Sequence, residues 1–187
     1  MAEIKGALLN AWLDFLKESY GDSAVSQAVQ SIKPADRQML SAPFLDSSWY
    51  PYDTLHALRR LTQPLATSPD ANLAIAIGRH MADHVFSGVY RSFLTDEPAK
   101  QVEKFEWIQE FFFRQTRTLE TEVTSSHTSL VRYRYDQDAR PTRGICASLL
   151  GFWSRTLELA GAGNLKAQHS KCVAEGGDCC EFLFEWE

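Results

Sequence analysis

The first two-thirds of the chain carries apolar residues at helical spacing. Leu8, Leu9, Trp12 and Leu16 recur every three or four positions before Gly21, which predicts an amphipathic helix that ends at this glycine. The same spacing predicts further helices at 23–32, from Asp53 through Leu61, from Ser68-Pro69-Asp70 to about Phe93, and from Asp96 and Pro98 through Phe112.

The pattern changes near Leu119. Residues 119–123 (LETEV) and 129–136 (SLVRYRYD) alternate between polar and apolar positions around a turn, which is typical of a β-hairpin. A helix over 145–159 follows, and a second hairpin pairs 164–174 with 180–186 across a Gly-Gly-Asp turn. The predicted fold is therefore α+β: a helical N-terminal two-thirds packed on a four-stranded antiparallel sheet, in the order helices-β-β-α-β-β. We expect one domain over 1–187, with 1–117 mainly helical and 118–187 forming the sheet with one crossover helix.

Composition narrows the class of protein. The chain has 187 residues, 44% of them hydrophobic, and a net charge of -5 from 19 basic and 24 acidic residues. This charge and the lack of a basic run argue against nucleic acid as a partner. The chain has neither a signal-peptide pattern nor an apolar stretch of the roughly 18 residues that a membrane span requires. A cytoplasmic location, where thiols stay reduced, is expected.

All four cysteines, Cys146, Cys172, Cys179 and Cys180, lie in the last quarter of the chain. The tight turn between Cys172 and Cys180 can bring their thiolates within a few ångströms of each other, which gives half of a tetrahedral metal site. Cys146 begins the preceding helix and can approach the same point. The alternative is that these cysteines only fill the core.

A carboxylate from a neighbouring strand would complete the metal site. Glu120 and Glu122 share one face of their strand, and Glu122 is preferred while Glu120 stays open. By the same alternation, His169 should point away from the face that carries Cys172, which makes it the poorer ligand.

The segment C-x4-G-F…CVAEGGDCCEF, within Gly144 to Glu185, resembles the C-terminal signature of 4-vinyl reductase domains. These are small-molecule-binding modules similar in fold to haem nitric-oxide-binding domains and to TRAPP subunits. In spacing the segment is most similar to the sensory domains of phenol-responsive activators. The resemblance implies a structural zinc held by three cysteines and a glutamate, here Cys146, Cys172, Cys180 and, less firmly, Glu122. It implies no role for Cys179.

No haem is expected, because Tyr133-Arg134-Tyr135 does not supply the Tyr-x-Ser-x-Arg porphyrin clamp. The resemblance instead favours an apolar ligand cavity between the sheet and the helices. The aromatic residues expected to line it are Trp107, Phe111, Tyr133, Phe152 and Trp153.

Together these features predict a non-enzymatic regulatory module that binds a small apolar or aromatic molecule and signals through a separate output protein. A homodimer formed through the first helices is compatible with this prediction. The second hypothesis is a dimeric scaffold resembling the TRAPP subunits, and the third is an enzyme that reduces a tetrapyrrole vinyl group.

Overall fold

The computed structural model describes residues 1–66 and 71–187. The helices described are α1 (Gly6–Tyr20), α2 (Asp22–Ser31), α3 (Pro34–Met39), α4 (Asp53–Thr62), α5 (Ala71–Ser87), α6 (Pro98–Glu103), α7 (Phe105–Phe112) and α8 (Arg143–Leu159). The strands described are β1 (Glu3–Lys5), β2 (Trp49–Pro51), β3 (Phe113–Arg114), β4 (Arg117–Ser125), β5 (Thr128–Tyr135), β6 (Lys166–Lys171) and β7 (Cys180–Glu185).

The predicted fold class is confirmed. Strands β4 to β7 form one antiparallel sheet in the order β4-β5-β7-β6, with α8 crossing between the two hairpins. The inner face of the sheet buries apolar side chains, among them Val131, Phe182 and Phe184. Because these residues alternate with less buried ones along each strand, the hydrophobic pattern fixes which face meets the helices.

Helices α5 and α8 pack at backbone distance. A Cβ atom added at Gly78 would lie 1.8 Å from the carbonyl oxygen of Ser148, and one added at Gly151 would lie 2.1 Å from that of Ile75. Only glycine allows such an approach. The two glycines therefore set the separation of the helix pair that supports the C-terminal half of the fold.

The N-terminal helix is as predicted, since α1 ends at Gly21, which has a φ of 84°. The helix expected to reach Phe93 ends at Ser87 and is followed by a 3₁₀ turn, Val89–Phe93. The helix expected from Asp96 to Phe112 breaks in two at Lys104. The predicted helix start at 68–70 lies outside the described residues.

A second sheet, of three strands in the order β2-β1-β3, was not predicted. Its strands are only two or three residues long, too short for alternation to be visible in the sequence. No helix in the described part of the chain has the length and apolar character needed to cross a membrane. The division of 1–187 into a single domain stays a prediction.

Candidate functional site

Three thiols and one imidazole meet where α8, β6 and β7 converge. One potential ligand atom from each of Cys146, His169, Cys172 and Cys180 lies within 4.8 Å of those of the other three. The sulfur of Cys146 is 3.5 Å from that of Cys180 and 3.8 Å from that of Cys172. All three cysteines are buried, and His169 is partly buried. The structure thus brings together the three predicted cysteines and adds a histidine.

The expectation that His169 faces away from Cys172 is wrong. The pairing of β6 with β7 is irregular between His169 and Lys171, so one extra residue interrupts the alternation. Cys172 then lies just beyond the end of β6. Because of this bulge, simple counting along the strand assigns the histidine to the wrong face. The ring of His169 is held in place by stacking on Phe182, with 4.4 Å between ring centroids.

Glu122 does not join the cluster. It lies on β4, which the whole of β5 separates from the strand that carries Cys180, and it points to the opposite face of the sheet. Its Oε2 accepts a hydrogen bond from Nη1 of Arg132 at 3.2 Å. Glu120, the other glutamate considered, forms an ion pair with Arg134 at 3.5 Å. Both carboxylates are therefore engaged on the outer face.

The cluster favours a thiolate at Cys180. A hydrogen bond from Cys146 lowers the pKa of Cys180, with further help from His169 and from the backbone N–H of Val173 at 3.3 Å. The pKa of Cys146 is raised by the same hydrogen bond and by burial. Burial also raises the pKa of Cys172. Because metal ions bind thiolates, metal binding here must release protons. Cys179 is buried but lies outside the group of four.

Two of the five aromatic residues predicted to bind a ligand line an interior cavity. Phe152 and Trp153 border a largely apolar space of about 20 Å³ between α1, α5, α7 and α8. Trp107 is instead half-exposed, and Phe111 packs against Phe93 with 4.9 Å between ring centroids. Tyr133 is buried and accepts a hydrogen bond from Nε1 of Trp153.

Sequence reasoning missed a buried arginine. Arg117, at the start of β4, is only 8% exposed and lies against the same interior cavity. The alternation of β4 puts Arg117 on the same face as the buried Leu119, but the charge of an arginine hides this signal.

The architecture defines an α+β protein with two antiparallel sheets and a buried cluster of metal-binding residue types. No protein-family model matches the chain, and no curated protein sequence matches it. Several solved structures do match the chain. The H-NOX protein from S. oneidensis in the Fe(II)NO ligation state is 14% identical, with a TM-score of 0.76 over 98% of this chain and 99% of that chain.

The Fe(II) unliganded H-NOX protein from K. algicida is also 14% identical, with a TM-score of 0.71 over 98% of this chain and 97% of that one. The H-NOX domain from Shewanella oneidensis in the Fe(II)CO state is 16% identical, with a TM-score of 0.71 over 98% and 99%. These similarities show that the chain has the H-NOX fold.

The resemblance to 4-vinyl reductase domains is therefore wrong as an identification. It depended on a segment of the C-terminal quarter, whereas the H-NOX structures match nearly the whole chain. The scaffold and vinyl-reductase hypotheses lose the resemblance on which they were based. The expected relation in fold to haem nitric-oxide-binding domains is consistent with these matches.

The prediction of a zinc cofactor and no haem is also wrong for this fold. The similar structures are described by their Fe(II) ligation states, and another, 11% identical with a TM-score of 0.67, by protein-induced porphyrin distortion. The residues around the interior cavity of this chain nevertheless do not fit a haem. Met81 is the one described lining residue of a type that serves as an axial haem ligand. The cavity, about 20 Å³, has room for about one water molecule, whereas ligand pockets measure about 300–1,000 Å³.

Proposed function

We propose that this chain is a non-enzymatic sensory domain in which the cluster of Cys146, His169, Cys172 and Cys180 binds one metal cation. The similarity in fold to H-NOX proteins, described as ligated by NO or CO, supports a domain that responds to a small molecule. The convergence of the four side chains is the observation that carries the proposal. It concerns these donor atoms alone and does not depend on the iron of the similar structures.

The spacing of the sulfur atoms supports a cation rather than simple core packing. In a tetrahedral site with metal–sulfur bonds of about 2.3 Å, neighbouring sulfurs lie about 3.8 Å apart. The sulfur of Cys146 lies 3.5 and 3.8 Å from those of Cys180 and Cys172, which matches this spacing. Thiols that only filled the core would have no reason to meet an imidazole at the same point. Thiolate and imidazole donors select soft or borderline transition-metal ions.

The position of the cluster explains what a bound cation would do for the fold. Cys146 belongs to α8, His169 to β6 and Cys180 to β7, while Cys172 precedes the turn between the last two strands. A cation would therefore tie the C-terminal hairpin to the helix that packs on α5. The proposal has three further parts: the chain senses a small apolar or aromatic molecule, a separate protein carries the output, and the chain forms a dimer.

Metal analysis of the full chain, purified without chelators, tests the site. Mass spectrometry should find one transition-metal ion per chain, and Cys172→Ser and His169→Ala should each lower both the metal content and the melting temperature. Protein stripped of metal and loaded with Co²⁺, used as an optical probe, should show the visible absorption of a tetrahedral site with sulfur ligands.

Two variants serve as matched controls. Cys179→Ser removes a buried thiol next to the cluster but not in it, and Glu122→Gln removes the carboxylate on the outer face. Both should keep a full equivalent of metal. The proposal fails if the wild-type chain carries no metal and does not bind Co²⁺, or if Cys172→Ser keeps a full equivalent.

A further inference from the structure

Arg117 is a buried cation with open hydrogen-bonding positions. Its Nη2 donates to Oε1 of Gln109 at 2.8 Å, but Nε and Nη1 form no hydrogen bond with any described residue. An unpaired buried donor costs about 1–3 kcal/mol, and more when it is charged. Nη2 carries two protons, one on each edge of the planar guanidinium that it shares, and Gln109 accepts only one of them. The other edge can still donate two parallel hydrogen bonds to two oxygen atoms of a single group.

The surroundings of Arg117 are aromatic rather than acidic. Its guanidinium carbon lies 4.1 Å from the ring centre of Phe113, 5.0 Å from that of Tyr133 and 5.6 Å from that of Tyr135. These rings give a partial cation–π stabilisation. The groups with the largest electrostatic effect on Arg117 are three tyrosines and Cys146, and no described carboxylate forms an ion pair with it. The charge therefore lacks a full counter-charge from the protein.

Two phenol groups near the guanidinium also lack well-formed hydrogen bonds. The hydroxyl oxygens of Tyr52 and Tyr135 are both buried: that of Tyr135 makes no hydrogen bond within the described residues, and that of Tyr52 lies beside Arg117 without a hydrogen bond of good geometry. Burial raises the pKa of both phenols, with the charge of Arg117 acting in the opposite direction. Both phenols thus stay protonated and can donate a hydrogen bond.

The open side of Arg117 lies between the interior and the surface. Arg117, Gln109 and Phe113 border both the apolar cavity and an outer cleft, which Glu3 and Arg114 also line. Arg117 therefore lies on the boundary between the cavity and the cleft, with its two unpaired nitrogens covered from solvent. Glu110 is the second acidic residue that lines this cleft.

We propose that Arg117, with the phenols of Tyr52 and Tyr135, binds a compact monocarboxylate of formate or acetate size. A carboxylate supplies the missing negative charge and accepts the open N–H groups, and its hydrogen or methyl substituent faces the apolar cavity. That cavity has room for only about one water-sized group, so longer acids are excluded. This inference depends on the proposed sensory function, and it replaces the apolar or aromatic molecule of that proposal with a small anion.

The test measures binding of ¹³C-labelled formate and acetate to the full-length protein by NMR, together with thermal unfolding at constant ionic strength. We expect saturable binding and a rise in melting temperature of about 3–6 °C at ten times the dissociation constant. Chloride at equal ionic strength, the neutral isosteres formamide and acetamide, and hexanoate should give no comparable shift. If chloride or the amides match formate, or if labelled formate shows no saturable binding, the inference is overturned.

Variants assign the site. Arg117→Met replaces the cation with an apolar side chain of similar length and should abolish binding, whereas Arg114→Gln changes an exposed arginine of the same cleft and should preserve it. If Arg117→Met does not fold, Tyr135→Phe replaces it and should weaken binding at least threefold. Unchanged affinity in a folded Arg117→Met protein, or in Tyr135→Phe when that is the variant used, would contradict the assignment.

The same samples separate this inference from the proposed function. Metal content reports on the cysteine cluster and carboxylate binding reports on Arg117. Protein that holds metal but does not bind formate overturns only the carboxylate site. Protein that binds formate but holds no metal overturns only the metal-binding function.

Discussion

The close contact between α5 and α8 predicts that alanine cannot replace Gly151. An alanine Cβ there would lie 2.1 Å from the carbonyl oxygen of Ile75 and 3.0 Å from its Cα, and Cβ contacts below 3.0 Å are essentially never seen. The obstacle is backbone on the facing helix, so no side-chain rotation can relieve it. The two helices must therefore move apart by about an ångström.

The cost follows from what lies between the helices. Inserting one methyl group into a packed core usually costs about 1–3 kcal/mol. Here the separation also weakens contacts elsewhere along the pair, because a gap of about 0.5–1 Å removes a quarter to a half of each dispersion contact. Gly151→Ala should therefore lower the free energy of unfolding by about 3 kcal/mol. For a chain of this size that is a fall of about 6–12 °C in melting temperature.

Urea unfolding followed by tryptophan fluorescence, at a fixed metal concentration, measures this loss. Gly144→Ala is the matched control on the same helix, since its added Cβ would make only ordinary contacts, 3.6 Å from Cδ of Arg59 and 4.0 Å from Oγ1 of Thr142. Replacing a helical glycine there should leave stability unchanged or raise it by up to about 1 kcal/mol. If the two variants unfold at the same urea concentration, α5 and α8 do not approach each other as described.

Two further predictions concern buried polar pairs. Arg60 donates to both carboxylate oxygens of Asp36 at 2.6 Å and lowers the pKa of Asp36, so Asp36→Asn should cost about 1–2 kcal/mol at pH 7, allowing for the partial exposure of Arg60. The folded-state pKa is below the ordinary value of 3.8, so this contribution is complete above pH 3.8 and is lost as the pH falls through the folded-state value. Urea unfolding at pH 7 and at pH 3 measures this contribution. If variant and wild type differ in free energy of unfolding by the same amount at both pH values, the pair does not stabilise the fold in this way. Tyr133→Phe should cost about 1–3 kcal/mol in the same assay, because it leaves the indole N–H of Trp153 buried without its acceptor, and no loss would mean that the N–H finds another partner.

The larger fold could be predicted because periodicity survives in elements of six residues or more. Strands β4 and β5 and helix α8 each carry enough apolar positions to show both the type of element and its buried face. The small sheet could not be predicted, since β1 pairs with strands almost 50 and 110 positions away through only two or three residues. Alternation puts Arg117 on the same face as Leu119, but its burial also depends on the contact of β4 with α7, which the sequence does not show.

The candidate site shows where counting along a strand succeeds and where it fails. Alternation correctly placed Glu120 and Glu122 together on one face of β4, opposite the buried Leu119, but the distance of β4 from the cysteines depends on strand order, and that order is a long-range property. For His169 the counting itself failed, because the irregular pairing near Lys171 adds a residue before Cys172. Bulges are frequent next to functional sites because they redirect a side chain that a regular strand would point elsewhere. A histidine close to a cysteine at the end of a strand should therefore be kept as a candidate ligand, even when the number of residues between them places the two on opposite faces of a regular strand.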